Sequence, residues 1–293
     1  MGLIRVGVSG WTYPSWRGDF YPSGLVQRLE LSYAAERMSS VEINGSFYAL
    51  QRPSSYEKWR DATPPGFVFT VKAGRYLTHL KRLSGVETAL ANFFPSGPLL
   101  LGEKLGPILW QLPATLAFDE ELLATFFDLL PRCTDDAAAL ASRHDDKVPR
   151  ARASTEALVG QPIRHALEAR HDSFRDERAT RLLQRHGVSL VLADSAGRWP
   201  MIDETTSDVA YVRLHGHTTL YTSGYAAASL DRWAERCLTR AEEGQDVFVY
   251  FDNDVHGHAP HDAVGLEARV TGRPVPRRSS VSSGTRGGYG PDG

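Results

Sequence analysis

Cysteine is nearly missing from this 293-residue chain: Cys133 and Cys237 are the only two, too few for a disulfide framework or a four-thiolate zinc site. A cytoplasmic protein that folds without covalent staples is expected. Lysine is scarce as well. Only Lys58, Lys72, Lys81, Lys104 and Lys147 stand among 33 basic residues, so a lysine inside a strand is not background. No apolar run reaches 18 residues, and the opening MGLIRVGVSG has no basic segment followed by a long apolar one, so neither a membrane span nor a signal peptide is expected. Three site signatures are absent too. The turn after the first apolar run, Val8-Ser9-Gly10-Trp11-Thr12-Tyr13-Pro14, puts aromatics and proline where a dinucleotide-binding turn has glycines. Neither a G-x-x-x-x-G-K-[ST] phosphate loop nor a G-x-S-x-G nucleophile elbow occurs.

What is present is an ordinary globular composition, 42% hydrophobic and 23% charged, long enough to bury a core. Its net charge of −2 is unevenly placed. Residues 271–293, TGRPVPRRSSVSSGTRGGYGPDG, are rich in Gly, Ser, Pro and Arg and are read as a disordered tail of net +3, which leaves −5 on residues 1–270. That acidic body argues against extended binding to a nucleic-acid backbone.

Eight short runs rich in β-branched residues read as strands: Ile4–Ser9, Ser40–Asn44, Phe67–Lys72, Ile108–Leu112, His165–Arg170, Ser189–Asp194, Ala210–His215 and Val247–Asp252. Helical patterns lie between most of them and after the last, with Asp119 and Ser229 as expected N-caps. Alternating strands and helices imply parallel pairing, and eight such units in about 270 residues fit a single α/β domain, a closed (β/α)8 TIM-type barrel over residues 1–270. The charged, Ala/Arg-rich span 132–161 breaks the rhythm and is expected to be a partly helical excursion or mobile loop.

Nearly every strand ends in polar or ionisable residues, and in a barrel these ends form the rim where chemistry sits. The period of two turns Glu42 with Asn44 and Thr70 with Lys72 inward. Gln111, Glu168 with Arg170, Asp194, Arg213 with His215, and Asp252-Asn253-Asp254 close later strands. Buried charges cost hydration, so a surplus of them on one rim points to a polar site more than to stability. Lys72, Arg170 and Arg213 suit an anion; Glu42, Glu168 and Asp194 are candidate acids or bases, and His215 a proton shuttle. Trp11, Tyr13, Trp16, Phe20 and Tyr21 are read either as an aromatic wall of the site or as a lid packed over the barrel mouth. The His215-Gly-His217 and His256-Gly-His258 pairs, with His261, Asp252 and Asp254, offer metal-ligand types but no diagnostic third ligand at fixed spacing.

Seven ordered segments carry a resemblance: Val8 to Tyr13; Val41-Glu42-Ile43-Asn44 with Phe47-Tyr48; Phe69 to Ala73 with Thr78-His79; Gln111-Leu112-Pro113; Glu168-Ala169-Arg170-His171; Tyr211 to Gly216; and Tyr250 to Asp254. Over residues 3–270 the chain resembles the YecE-like family, domain of unknown function 72. The resemblance implies a TIM barrel and supplies no reaction. It marks Glu42, Asn44, Lys72, His79, Gln111, Glu168, Arg170, His171, Asp194, Arg213, His215, Asn253 and Asp254 as site positions. Ser46, Phe174 and Asp252 depart from the Thr, Trp and Asn usual at their places in these motifs.

The sequence therefore points to an enzyme, a hydrolase, lyase or isomerase, that uses general acid/base chemistry on a small anionic or polyhydroxylated substrate such as a sugar phosphate or nucleotide derivative. Lys72, Arg170 and Arg213 would hold the anion, Glu42 or Glu168 would act as base and His215 as acid; replacing Glu168 or Lys72 by an apolar isostere is expected to abolish turnover with little change in melting temperature. No cofactor or metal is assigned. A metal-dependent phosphoesterase, with nucleic acid among its substrates, and a non-catalytic metabolite-binding barrel are the alternatives.

Overall fold

The computed structural model describes residues 1–272 and Pro274, so the expected tail lies almost wholly outside the described residues; its first residue, Thr271, ends the last helix. Nine strand segments run in parallel: β1 Ile4–Ser9, β2 Ser40–Ile43, β3 Val68–Lys72, β4 Leu105–Gln111, β5 His165–Glu168, β6 Val188–Leu190, β7 Leu192–Asp194, β8 Val209–Leu214 and β9 Asp246–Phe251. The sheet order β6-β5-β4-β3-β2-β1-β9-β8-β7 starts and ends on neighbouring segments of the chain, so the sheet wraps into a nearly closed barrel.

The seam falls inside the run expected as a single strand. β6 pairs with β5, β7 pairs with β8, and Val191 between them donates its N–H to Leu167 O at 2.9 Å. Side chains fill the gap in the ladder. Thr206 Oγ1 accepts the Leu190 N–H at 2.7 Å and donates to Val188 O, while Ser189 Oγ donates to Val209 O at 2.9 Å. Buried backbone polar groups are thus satisfied where the sheet hydrogen bonds lapse.

Helices cover the outside: α1 Glu30–Ala35, α2 Gly45–Tyr48, α3 Pro53–Asp61, α4 Glu87–Phe93, α5 Glu120–Asp128, α6 Thr134–Ala141, α7 Glu177–His186, α8 Ala227–Glu242 and α9 His258–Thr271. Asp119 caps α5 by accepting the Leu122 N–H at 3.0 Å. Ser229 does not cap α8. The helix starts earlier, behind Ala226, and no side chain caps it. The excursion 132–161 is partly helical, with α6 and a short 3-10 turn at Arg150–Arg152, and Ala137, Ala141 and Val148 are buried.

Two apolar layers result. A large one fills the space between sheet and helices, and a small one, with Leu109, Val191, Tyr211, Phe248 and Tyr250, plugs the lower lumen. The lumen becomes polar going up. Tyr250 OH meets Ser40 Oγ at 2.6 Å, Tyr211 OH meets Thr70 Oγ1 at 3.0 Å, and above them the charged residues begin. Gly7 lets β1 approach β2 closely, since a Cβ there would lie 2.0 Å from Ser40 O. No helix among the described residues is long and apolar enough to cross a membrane.

Candidate active site

Arg213, on β8 and fully buried, organises the upper lumen. Its guanidinium grips Glu42 with two donors, Nη2 to Oε1 at 2.8 Å and Nε to Oε2 at 3.1 Å. It also donates to Glu168 Oε2 at 2.8 Å, Asp252 Oδ2 at 3.1 Å and Ser9 Oγ at 3.2 Å. Three carboxylates therefore share one planar fork, which suits Arg and would not suit the point charge of Lys. Glu42 is completed by Ser9 Oγ and Tyr211 OH, each donating at 2.6 Å.

Glu168 is equally full. Arg170 donates to Oε1 from Nε at 2.8 Å, Gln111 Nε2 donates to Oε2 at 2.8 Å, and Arg170 itself stacks 3.6 Å over Trp199. Burial alone would push Glu168 up, but the charges of Arg170 and Arg213 and the nearby His215 outweigh it and hold the carboxyl well below the usual range. Asp252 follows the same pattern: burial opposes ionisation, yet Arg213 and the hydrogen bond from His215, 3.0 Å away at Nδ1, keep it low. Both arginines expected to hold an anion are thus already committed to carboxylates inside the protein.

Two groups are left out of this network. Lys72, at the end of β3, is 5% exposed, and its ammonium makes no hydrogen bond or ion pair among the described residues; its Nζ lies 4.3 Å from the centre of the Phe47 ring. Burial, with the charge of Arg213, pushes its ammonium down to about 8. Asp254 has a buried Oδ1 with no partner. Burial and the adjacent Asp252 carboxylate raise it well above the usual carboxylate range, against a hydrogen bond with Tyr13 that lowers it.

A cleft of about 310 Å³ is lined in part by Trp11, Tyr13, Tyr48 and Trp59 with the amides of Asn44 and Gln51; Lys72 and Asp254 do not line it, and Asp254 is linked to it through a hydrogen bond with Tyr13. The side-chain oxygen of Asn44 is also buried without a partner. Within the aromatic segment, Trp16, Phe20 and Tyr21 are core residues, whereas Trp11 and Tyr13 line the cleft.

The remaining expected positions sit apart from the ionic network. His79 occupies a π-helical turn after β3, bonded to Thr78 Oγ1 at 2.9 Å and edge-on to Phe47. His171 accepts from the Ser173 N–H and caps its own turn, and Asp194 accepts from Tyr225 OH at 3.1 Å. Asn253 donates to Asp262 of α9 and to Ser223 O, a loop-bracing role. His217 packs on Tyr225 and His256 on His258, and among the described residues no group of three or more His, Cys, Asp or Glu is placed to hold a metal ion. Sequence reading passed over Ser9, Phe47 and Trp199 as site residues. Ser9 and Phe47 had a usable signal, since both lie in segments that carry the family resemblance; the structure puts Ser9 at the end of β1 in register with Glu42.

The sequence profile described as "Protein of unknown function DUF72" matches residues 5–282. The chain belongs to this family. Among curated relatives it is similar to UPF0759 protein YunF of Bacillus subtilis, 32% identical over 119 residues, which is 38% of this chain and 40% of the relative. It is also similar to UPF0759 protein YecE of Escherichia coli, 29% identical over 131 residues, 44% of this chain and 45% of the relative. The matched stretch therefore spans less than half the length of these relatives. Solved DUF72 structures share the fold: one from Thermotoga maritima at TM-score 0.73 and 24% identity, covering 92% of this chain and 99% of that one, and one from Enterococcus faecalis at 0.70 and 17%, covering 92% and 96%.

Proposed function

We propose that this DUF72 chain is an enzyme of general acid/base chemistry on a small polyhydroxylated substrate, with Lys72 and Asp254 as its proton-handling pair. The observation that supports it is a division of labour at the rim: every carboxylate bound to Arg213 is satisfied, while one buried amine and one buried carboxyl are left with unused hydrogen-bonding capacity. Satisfied ions serve as scaffold, and buried polar groups without partners are the candidates for function. The two are displaced in opposite senses, the acid upward and the ammonium downward, as acid/base pairs in enzymes are.

Both groups feel Arg213, Glu42 and Asp252, so they flank the same charge cluster. The aromatic cleft with its two amides suits the apolar faces and hydroxyls of a sugar-like molecule, and it has no basic lining. Of the two substrate kinds expected from sequence, the hydroxylated one is favoured over the anionic, because Arg170 and Arg213 are spent. For the same reason Glu168 is better suited to positioning than to proton transfer.

The test is a panel of aldoses, ketoses and their phosphates, with product followed by proton NMR. Replacing one acid or base in such a site costs roughly 10²–10⁴ in rate, so Asp254→Asn should cut kcat by at least 100-fold with KM little changed. Turnover that survives this change at its original rate would refute the pairing.

A further inference from the structure

We propose that the Lys72 ε-amine is a nucleophile that condenses with the carbonyl group of a small hydroxylated aldehyde or ketone and holds it as a protonated Schiff base. The inference deepens the reading above and rests on it. Its foundation is geometric. Lys72 stands at the C-terminal end of a barrel strand with its amine over the Phe47 ring, and it holds no carboxylate although three lie within electrostatic reach. Those three are taken by Arg213, Arg170, Gln111, His215, Tyr211 and Ser9. A lysine serving a structural ion pair would have claimed one of them.

The charged groups facing Lys72 come from several elements: Glu42 on β2, Glu168 on β5, Arg213 on β8, Asp252 after β9, and His79 in the turn after β3. Burial and Arg213 disfavour its ammonium while the carboxylates favour it, and burial prevails. A desolvated lysine beside another cation is a recognised way to obtain a nucleophilic amine.

The step balances as follows. The neutral amine attacks the carbonyl carbon, a C–N bond forms, and the π pair moves to oxygen, which takes the Asp254 proton. The nitrogen of this adduct gives up one proton, which returns to the Asp254 carboxylate. The hydroxyl then departs as water, carrying a further proton from Asp254, and the nitrogen lone pair forms the C=N⁺ bond. One carbonyl, one amine and one proton thus yield one iminium and one water, with no oxidant or reductant required. The iminium carries one positive charge beside the Phe47 face, with the carboxylates of Glu42, Glu168 and Asp252 within electrostatic reach to offset the cost of its burial.

The chain's five lysines make the test internally controlled. Full-length protein is incubated at pH 7.5 with glycolaldehyde or dihydroxyacetone and sodium cyanoborohydride, and the reduced adduct is mapped on peptides carrying Lys58, Lys72, Lys81, Lys104, Lys147 and the N-terminal amine. With a pKa of about 8 against an ordinary 10.5, the free-amine fraction of Lys72 exceeds that of an ordinary lysine roughly 200-fold. Lys72 should acquire adduct at least tenfold faster than any other lysine, and Lys72→Arg should lose that fast phase. Adduct on Lys58, Lys81 and Lys147 with Lys72 unmodified would overturn the proposal. The same probes are titrated against Trp11 and Trp59 fluorescence in wild type and Asp254→Asn. If substrate turnover persists and depends on Asp254 while Lys72 stays unmodified, the imine falls and the acid/base reading stands. If no polyol binds and Lys72 reacts no faster than its fellows, both fall.

Discussion

Replacing Lys72 by methionine should stabilise the protein, and the size of the gain follows from its surroundings. A lysine whose pKa is about 8 in the folded state and 10.5 when free disfavours its own charge by about 3 kcal/mol wherever both states are protonated. The sign is set by proton counting. Between pH 8 and 10.5 the unfolded chain binds more protons than the folded one, so stability rises with pH across that window, and the penalty is fully present below it. Methionine has similar length, keeps the apolar stem and packs well on the Phe47 ring. Urea unfolding of wild type and Lys72→Met at pH 7, 8, 9 and 10 should show the variant about 3 kcal/mol more stable at pH 7, with the gap closing toward pH 10. A variant less stable than wild type at pH 7, or a gap that ignores pH, would mean that Lys72 is bound into the structure, and the case for a poised amine would collapse. The expectation from sequence was a melting temperature close to wild type; the absence of an ion partner for the ammonium converts that into a gain.

Other consequences can be checked the same way. Arg213→Met leaves Glu42, Glu168 and Asp252 without their shared cation and should cost about 3–5 kcal/mol at pH 7; because Glu168 and Asp252 are held low, their contribution is present above about pH 4.5 and is lost on acidification, so the deficit should shrink at pH 4, and equal deficits at both pH values would contradict the charge account. Asp252→Asn removes one cause of the raised Asp254, whose carbon-13 NMR titration should move to lower pH; an unmoved titration would exclude Asp252 as that cause. His165 is buried, accepting from Trp110 Nε1 at 3.1 Å and donating to Pro131 O at 2.8 Å, and burial drives it down to about 4. The unfolded histidine takes up a proton between pH 6.5 and 4 and the folded one does not, so this group should remove about 3 kcal/mol across that range, and His165→Gln should flatten the pH dependence measured by urea unfolding.

The barrel was legible because its cause is local: β-branched runs and helical periods are written in neighbouring residues. The seam was not, since nothing in Ser189–Asp194 marks Val191 as the place where pairing changes from β5 to β8, and Thr206, which bridges the gap, lies in a loop. Site positions could be read from polar strand ends, but their roles depended on partners far away in sequence. Arg213 looks like an anion receptor until Glu42, 171 positions earlier, and Asp252, 39 later, are seen to fill it. Glu168 looks like a base until four donors are found on it, and its replacement by an apolar isostere would strand Arg170 and Arg213 in the interior. Ser46, one of the three departures from the family pattern, loses nothing by it, since its hydroxyl still donates to Lys72 O at 2.6 Å and Ile43 O at 3.0 Å.

The placement of lysine and arginine at the rim has a physical reason. Guanidinium cannot give up its proton at any working pH and presents five donors, so it serves where several carboxylates must be held permanently. An ammonium in the same low-dielectric space loses its proton readily, so it serves where a base or nucleophile is needed. Arginine occupies the positions that grip Glu42, Glu168 and Asp252, and lysine occupies the one buried position with no acid to grip. Putting arginine at position 72 would add a second permanent cation beside Arg213, and putting lysine at position 213 would replace the two-point grip on Glu42 by a single point charge. The two cation types are not interchangeable here, and the division between them separates the residues that hold the site from those able to react in it.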